Sequence, residues 1–399
     1  MLQLKRLLTL GSRNNNTDCV FESKKESSKN NRFKKRILLA ACLSFLCSSS
    51  ACAANVSIRS DTNTYPAILV NNKPFFPFGF YYVSYSSKND AKRLEDLHKI
   101  AEAGFNVMHL PLDLNDDSFI DEAARLGVYI IGEYNSEPLS VVNRYETKPA
   151  ILGWNVGDDV DDGKKTVNKI STFHKQVKDN DPQHITYISG YNPNKIGEFM
   201  NSSDLVGMQS YPVNAEPLSA TDYSISRAVK QATPYNRPVI ANLQTFSWEG
   251  SRPPTSKEVR NMTYQSLING VKGIIYYTYY DSSWDMSSHS DLWNGVKSLV
   301  PEIKQLSPIL LNGKLNKINT GVEDVFTGVW NYQNQAVVVV LNTSNSTTRK
   351  VSITLPSNRT SGVQAMFSGR PSGLTINGNQ LSGSVKPKDV HVYSFKLGN

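Results

Sequence analysis

From Phe76 onward, short apolar runs alternate with longer stretches in which apolar residues recur three and four positions apart. The short runs have strand length and are rich in aromatic and β-branched residues. Eight of them stand out: Phe76–Val83, Asn106–Leu112, Tyr129–Tyr134, Ile151–Val156, Ile185–Ser189, Leu205–Ser210, Val239–Leu243 and Gly273–Tyr280. The stretches between them read as helices. In Arg93–Gly104, Leu94, Leu97, Ile100 and Ala101 share one face and Gly104 supplies a stop. Phe119–Gly127 repeats the device, and the last such pattern runs from about Leu292 to Leu306, with Pro308 expected to end it. Strand and helix in alternation predict βα units and a parallel sheet, and eight units predict a closed (β/α)8 barrel within 54–312. Two strand-like segments, Val56–Arg59 and Ala67–Gly79, precede it, the second turning at Asn71-Asn72.

Beyond Asn312-Gly313 the period changes from helical to alternating. Val325–Tyr332, Ala336–Asn342, Lys350–Leu355, Gly362–Phe367 and Val390–Leu397 read as strands joined by Asn, Ser, Thr and Gly turns, with no helical pattern between them. Residues 313–399 are therefore expected to form an antiparallel β-sandwich.

The start of the chain changes the reading of its charge. Phe33-Lys34-Lys35-Arg36, the apolar run Ile37–Cys47 and the small-residue site Ala51-Cys52-Ala53 have the order of a secretory signal peptide. Residues 1–53 are accordingly read as a leader, and the protein as periplasmic or extracellular. A lipoprotein signal at Leu39-Ala40-Ala41-Cys42 is disfavoured, because few apolar residues separate Arg36 from Cys42. The leader holds 10 Lys and Arg against Asp18, Glu22 and Glu26, so +7 of the formal +8 departs with it. The remaining chain is close to neutral, which removes the electrostatic basis for binding nucleic acid. All four cysteines, Cys19, Cys42, Cys47 and Cys52, are also in the leader, leaving neither a disulfide nor a thiol nucleophile. The apolar run is too short for a stable span, so no membrane insertion is expected after cleavage.

In a (β/α)8 barrel the chemistry lies where strands end. These ends carry carboxylates, amides and aromatic rings: Tyr81-Tyr82, His109, Glu133, Asp158-Asp159, Gln209-Ser210-Tyr211, Gln244 with Trp248, and Tyr280-Asp281 with Trp284. Such a set suits a sugar, whose hydroxyls bond to amides and carboxylates and whose apolar face stacks on rings. Trp154, Trp293 and His109 are read as interior groups. The six histidines are scattered, no glycine-rich phosphate loop follows a strand, and neither a metal nor another cofactor is expected.

Over the whole barrel, from the entry segment Asn71–Gly79 to Leu292-Trp293, the sequence resembles clan A glycoside hydrolases, in particular bacterial β-galactosidase- and cellulase-like members. The resemblance implies that the Asn-Glu or Asp-Glu ending the fourth strand of that clan corresponds to Asp158-Asp159 in Gly153-Trp154-Asn155-Val156-Gly157-Asp158-Asp159. It makes Asp159 the candidate acid/base and Asp158 a sugar-binding neighbour. Two departures accompany it. Asp159 is one methylene shorter than Glu, and Gln244 stands where the clan's nucleophilic Glu ends the seventh strand; an amide cannot be that nucleophile. The second carboxyl is then expected from Glu133 or Asp281, with Asp158, Gln244, Trp248, Trp284, Tyr211, Tyr82, Gln209 and Tyr280 as substrate-binding candidates. The expected activity is hydrolysis of an oligo- or polysaccharide. The alternative is a non-catalytic carbohydrate-binding protein on a degenerate hydrolase barrel.

Overall fold

The computed structural model describes residues 53–59, 66–83, 89–134, 137–356, 358–359 and 361–398, so the expected leader up to Cys52 lies outside them. Three short strands, β1 (Val56–Ile58), β2 (Ile68–Val70) and β3 (Lys73–Phe75), form an antiparallel sheet. Eight parallel strands follow: β4 (Phe78–Tyr82), β5 (Val107–Leu112), β6 (Tyr129–Tyr134), β7 (Ile151–Gly157), β8 (Ile185–Gly190), β9 (Leu205–Ser210), β10 (Val239–Gln244) and β11 (Gly273–Tyr280). They close a barrel in chain order, β11 pairing back onto β4. The expected barrel and its eight strands are therefore present within a residue or two of their read limits.

The helices are α1 (Asp90–Glu102), α2 (Asp117–Leu126), α3 (Pro138–Tyr145), α4 (Val167–Asn180), α5 (Ala220–Ala232), α6 (Ser256–Ile268), α7 (Ser290–Lys297) and α8 (Val300–Asn312). Two differ from the periodic reading. In α1, Leu94 is exposed while Arg93 is buried and bonded to Asp116 at 3.0 Å, because a guanidinium paired with a carboxylate can occupy the inner face. The expected last helix is two helices, and Pro308 lies inside the second. Pro301 in the first turn of α8 starts it favourably, and burial of Ile309, Leu310 and Leu311 offsets the N–H that Pro308 lacks. After β8 a single 3-10 turn, Ile196–Phe199, replaces the expected helix.

The core is layered. Ala54, Val56, Ile68 and Val70 share an apolar cluster with Val107, Leu152, Ile185, Leu205 and Ile240 at the beginnings of the strands, so the N-terminal sheet closes that mouth of the barrel. Above this layer the interior becomes polar. The Tyr187 hydroxyl and Asn242 exchange hydrogen bonds at 2.7 and 3.2 Å, and Tyr81 and Tyr187 meet through their hydroxyls at 3.4 Å. Gly207 makes room for this network, since a Cβ there would stand 2.0 Å from the Tyr187 oxygen. The barrel interior thus runs from hydrocarbon at one end to a buried polar network beneath the strand ends.

The C-terminal strands β12 (Lys314–Ile318), β13 (Val325–Tyr332), β14 (Gln335–Asn342), β15 (Arg349–Thr354), β16 (Gln364–Ala365), β17 (Thr375–Asn377), β18 (Gln380–Val385) and β19 (Val390–Lys396) form two antiparallel sheets, β12-β13-β14-β19-β16 and β15-β18-β17. They enclose a core of Val338, Val340, Val351, Ile353, Leu381 and Phe395. The other face of the larger sheet packs on the barrel: Trp330, Val337, Val339 and Val392 belong to the same cluster as the residues of α6 and α8. At that seam Glu302 accepts from Arg260 at 3.0 Å, from the Tyr264 hydroxyl at 2.6 Å and from Arg370 at 2.5 Å. Among the described residues no helix is long and apolar enough to cross a membrane.

Candidate active site

The turn that follows β7 brings two consecutive carboxylates to the C-terminal face of the barrel. Asp159 takes a left-handed conformation, φ 46°, which Asp tolerates better than most residues. The turn is tied to the end of β8: the Val160 N–H donates to the Ser189 carbonyl at 3.0 Å, and Asp161 accepts from the N–H groups of Tyr191 and Asn192 at 3.1 and 2.8 Å. Gly190 is required for this approach, because a Cβ there would stand 2.4 Å from an Asp161 oxygen. Both side chains are then held. Ser189 Oγ donates to Asp158, and Gln209 Nε2 donates to Asp159 at 2.7 Å and to Ser189 Oγ at 3.3 Å. Burial, and next the negative charge of Asp159, push the Asp158 carboxyl from the usual range up to about 6.

These carboxylates line a cleft of about 740 Å³ together with Tyr81, Tyr191, Gln209, Tyr211, Glu216, Phe246, Trp248, Glu249, Tyr277 and Asp281. One wall is a run of rings. Trp248 meets Phe246 at 4.8 Å, Phe246 meets Tyr277 at 5.4 Å, and Tyr277 meets Tyr211 at 5.6 Å between centroids. Burial, followed by the charge of Asp281 and then those of Asp158 and Asp159, raises the Tyr277 phenol, which therefore stays protonated and able to donate. Three carboxylates that follow the fourth and eighth barrel strands thus line one cleft with this tyrosine. Asp281 is itself fixed by a turn, its Oδ1 accepting from Ser283 N–H at 2.7 Å and Ser283 Oγ at 2.9 Å.

No family model matches the sequence, and no curated protein is similar to it in sequence. Solved structures are similar to it in fold. A protein described as a glycoside hydrolase superposes with a TM-score of 0.60 at 14% identity, over 86% of this chain and 97% of its own. A glycoside hydrolase family 5 protein from Bacteroides vulgatus does so with 0.62 at 14% identity, over 85% and 93%. An alpha-amylase from Geobacillus thermoleovorans, solved with acarbose, gives 0.56 at 13% identity, over 81% and 98%. The fold is that of solved glycoside hydrolases.

The structure gathers part of the sequence-derived set and disperses the rest. Asp158, Asp159, Asp281, Gln209, Tyr211 and Trp248 all line the cleft. Glu133 does not; its carboxylate is 4.0 Å from Nε2 of the buried His109, on the neighbouring strand. Gln244 is fully buried, its Oε1 accepting from Val213 N–H at 2.8 Å and its Nε2 donating to the carbonyls of Val213 and Phe246. Its amide shapes the loops after β9 and β10 rather than facing a ligand. Trp284 is buried against His289, ring centroids 3.9 Å apart, and its carbonyl accepts from the Asp281 N–H at 2.9 Å, so it supports the turn holding Asp281 instead of offering a stacking surface. Tyr82 and Tyr280 stack on each other outside the barrel lumen, where Tyr82 donates to Asp96 at 3.0 Å and Lys92 covers Tyr280.

The residues that sequence reasoning missed follow from strand parity. Successive side chains point to opposite faces, so at the end of β4 the inward tyrosine is Tyr81, with Tyr82 outward. On β11 the register with β4 shifts between Tyr276 and Tyr280, which turns both Tyr279 and Tyr280 outward and leaves Tyr277 in the cleft. Parity counted from the inward Ile275 would have identified Tyr277. The same count from Ile185 and Tyr187 on β8 reaches Ser189, whereas Glu216 and Glu249 lie on loops and carry no comparable signal. Among the described residues no group of three or more His, Cys, Asp or Glu could hold a metal ion.

Proposed function

We propose that this protein is a glycoside hydrolase that cleaves O-glycosidic bonds in an oligo- or polysaccharide, exported through its N-terminal leader. The observation carrying this reading is the convergence of Asp158, Asp159 and Asp281 on Tyr277 in an aromatic cleft. The cleft opens at the strand ends of a barrel shared with glycoside hydrolases. Asp158 and Asp159 act as a pair. Burial, and next the charge of the adjacent Asp159, keep Asp158 protonated up to about pH 6, where it delivers its proton to the glycosidic oxygen as the C–O bond breaks. Asp281 accepts a proton from the water that attacks the anomeric carbon. The Gln209 amide keeps Asp159 beside Asp158, and Tyr277 donates to a substrate hydroxyl or to the ring oxygen. Assigning proton delivery to Asp158 moves it one residue from Asp159, where the clan resemblance puts it.

Reducing-end release from a panel of oligosaccharides by Asp158→Asn, Asp159→Asn and Asp281→Asn variants tests the roles. Activity is expected to fall at least about 100-fold in the Asp158 and Asp281 variants. Unchanged rates in both would sink the assignment. One observation favours a second reading, a carbohydrate-binding protein without catalysis: the seventh strand ends in a fully buried amide, Gln244, where the clan resemblance implies a carboxylate. That reading requires glycan binding with no reducing ends released from any bound ligand. Export is tested by the N-terminus of the secreted protein, expected at Ala54.

A further inference from the structure

The cleft is unlike the rest of the surface in its charge. Asp158, Asp159, Glu216, Glu249 and Asp281 line it, and among the described residues no Lys, Arg or His does. Carboxylates elsewhere are mostly neutralised: Asp96 by Lys92, Asp116 by Arg93, Glu258 by Arg252 and Lys388, Glu302 by Arg260 and Arg370. Among the described residues, none of the five cleft carboxylates forms such a pair. Lys165, whose charge tempers the shift of Asp158, lies outside the lining and is 3.7 Å from Asp162. The chain without its leader is close to neutral, so the negative field is concentrated in the cleft rather than spread over the molecule.

A second, independent feature is the ring wall of Trp248, Phe246, Tyr211 and Tyr277, with Trp248 41% exposed. Aromatic faces attract ammonium groups as well as stacking on sugar rings. Rings and unpaired carboxylates lining one cleft are the chemistry that receives a sugar bearing a positive charge and repels one bearing a carboxylate.

We infer that the substrate of this cleft is a cationic sugar chain, an oligosaccharide of hexosamine units with free amino groups, and that Glu216 and Glu249 at its exposed edge set that preference. The inference rests on the carbohydrate reading of the same cleft. Glu216 and Glu249 are exposed and outside the proton-transferring set, so neither proton-transfer step runs through them.

The test uses the full chain and four hexasaccharides: glucosamine, its fully N-acetylated counterpart, glucose in β-1,4 linkage, and galacturonate. Equilibrium binding and reducing-end release are measured at low and high salt, below neutral pH. The glucosamine hexamer is expected to bind at least about 10-fold more tightly than the N-acetylated one. That advantage should shrink several-fold on going from roughly 20 mM to 500 mM salt, as the Debye length contracts. Glu216→Gln/Glu249→Gln should lose most of it while binding of the neutral hexamers is unchanged. Equal or tighter binding of a neutral hexamer, or an advantage indifferent to salt, overturns the inference and leaves the hydrolase reading standing if ends are released. Selective binding of the glucosamine hexamer without released ends supports the inference and removes hydrolysis. Absence of binding to all four overturns both.

Discussion

Gln209 Nε2 donates to Asp159 Oδ1 across 2.7 Å and reaches Ser189 Oγ at 3.3 Å, so one amide on β9 holds the carboxylate turn after β7 and the hydroxyl on β8 together. A single side chain thereby spans three consecutive barrel strands at the depth where substrate would bind. A hydrogen bond to a charged acceptor contributes roughly 1.5–3 kcal/mol. Gln209→Ala is therefore expected to lower kcat by about 10- to 100-fold, with a smaller change in melting temperature. Equal loss of activity and stability would mean that the clamp is structural only.

Asp158 links activity to pH. With its carboxyl raised to about 6 in the folded chain, the folded state binds the extra proton between the ordinary carboxylate range and about pH 6. Stability from this group is therefore fully present only below the unfolded value of about 4 and is lost as pH rises through about 6. Asp158→Asn should raise stability at pH 7–8 by about 2 kcal/mol, discounted for partial exposure, and leave it unchanged near pH 4. Rates in the unmodified protein should decline above about pH 6 as the donor loses its proton. Denaturant titrations and kcat profiles across pH 4–8 check both limbs.

Gln244→Glu separates a degenerate nucleophile site from a structural amide. The Gln244 amide nitrogen donates to two carbonyls, those of Val213 and Phe246, in a fully buried setting. A carboxylate there would face two acceptors, at a cost of about 2–4 kcal/mol. The expected result is a lower melting temperature with no gain in hydrolysis. A gain in hydrolysis at unchanged stability would restore the seventh-strand site to the mechanism.

Trp248 and Trp284 should diverge. Trp248 is exposed in the ring wall, so Trp248→Ala should raise KM by about 10-fold with stability within about 0.5 kcal/mol. Trp284 is buried beside His289, and Trp284→Ala should cost about 3–5 kcal/mol. Paired thermal melts and Michaelis curves distinguish the two. Comparable stability losses would contradict the placement of Trp248 at the cleft.

Much of the fold is legible along the chain because its determinants are periodic and local. The eight apolar runs, the helical spacings between them and glycines such as Gly104 and Gly127 at helix ends are properties of neighbouring residues, and the barrel strands lie within a residue or two of where they read. The change of period after Gly313 marks the β-sandwich for the same reason. β12, β17 and β18 went unread, since short partly exposed strands such as Thr375–Asn377 carry little alternation.

The site is legible only as an inventory. Sequence alone determined that carboxylates, amides and rings end the strands, and that Asp158-Asp159 ends the fourth. Which of them share a cleft was decided by tertiary structure, because strand parity and the register shift on β11 exchange Tyr82 and Tyr280 for Tyr81 and Tyr277. Burial decided the rest: it consumed the amide of Gln244 in backbone hydrogen bonds, drew Trp284 against His289, and raised Asp158 beside Asp159. Desolvation and side-chain direction depend on residues far apart in the chain, and neither can be counted from spacing.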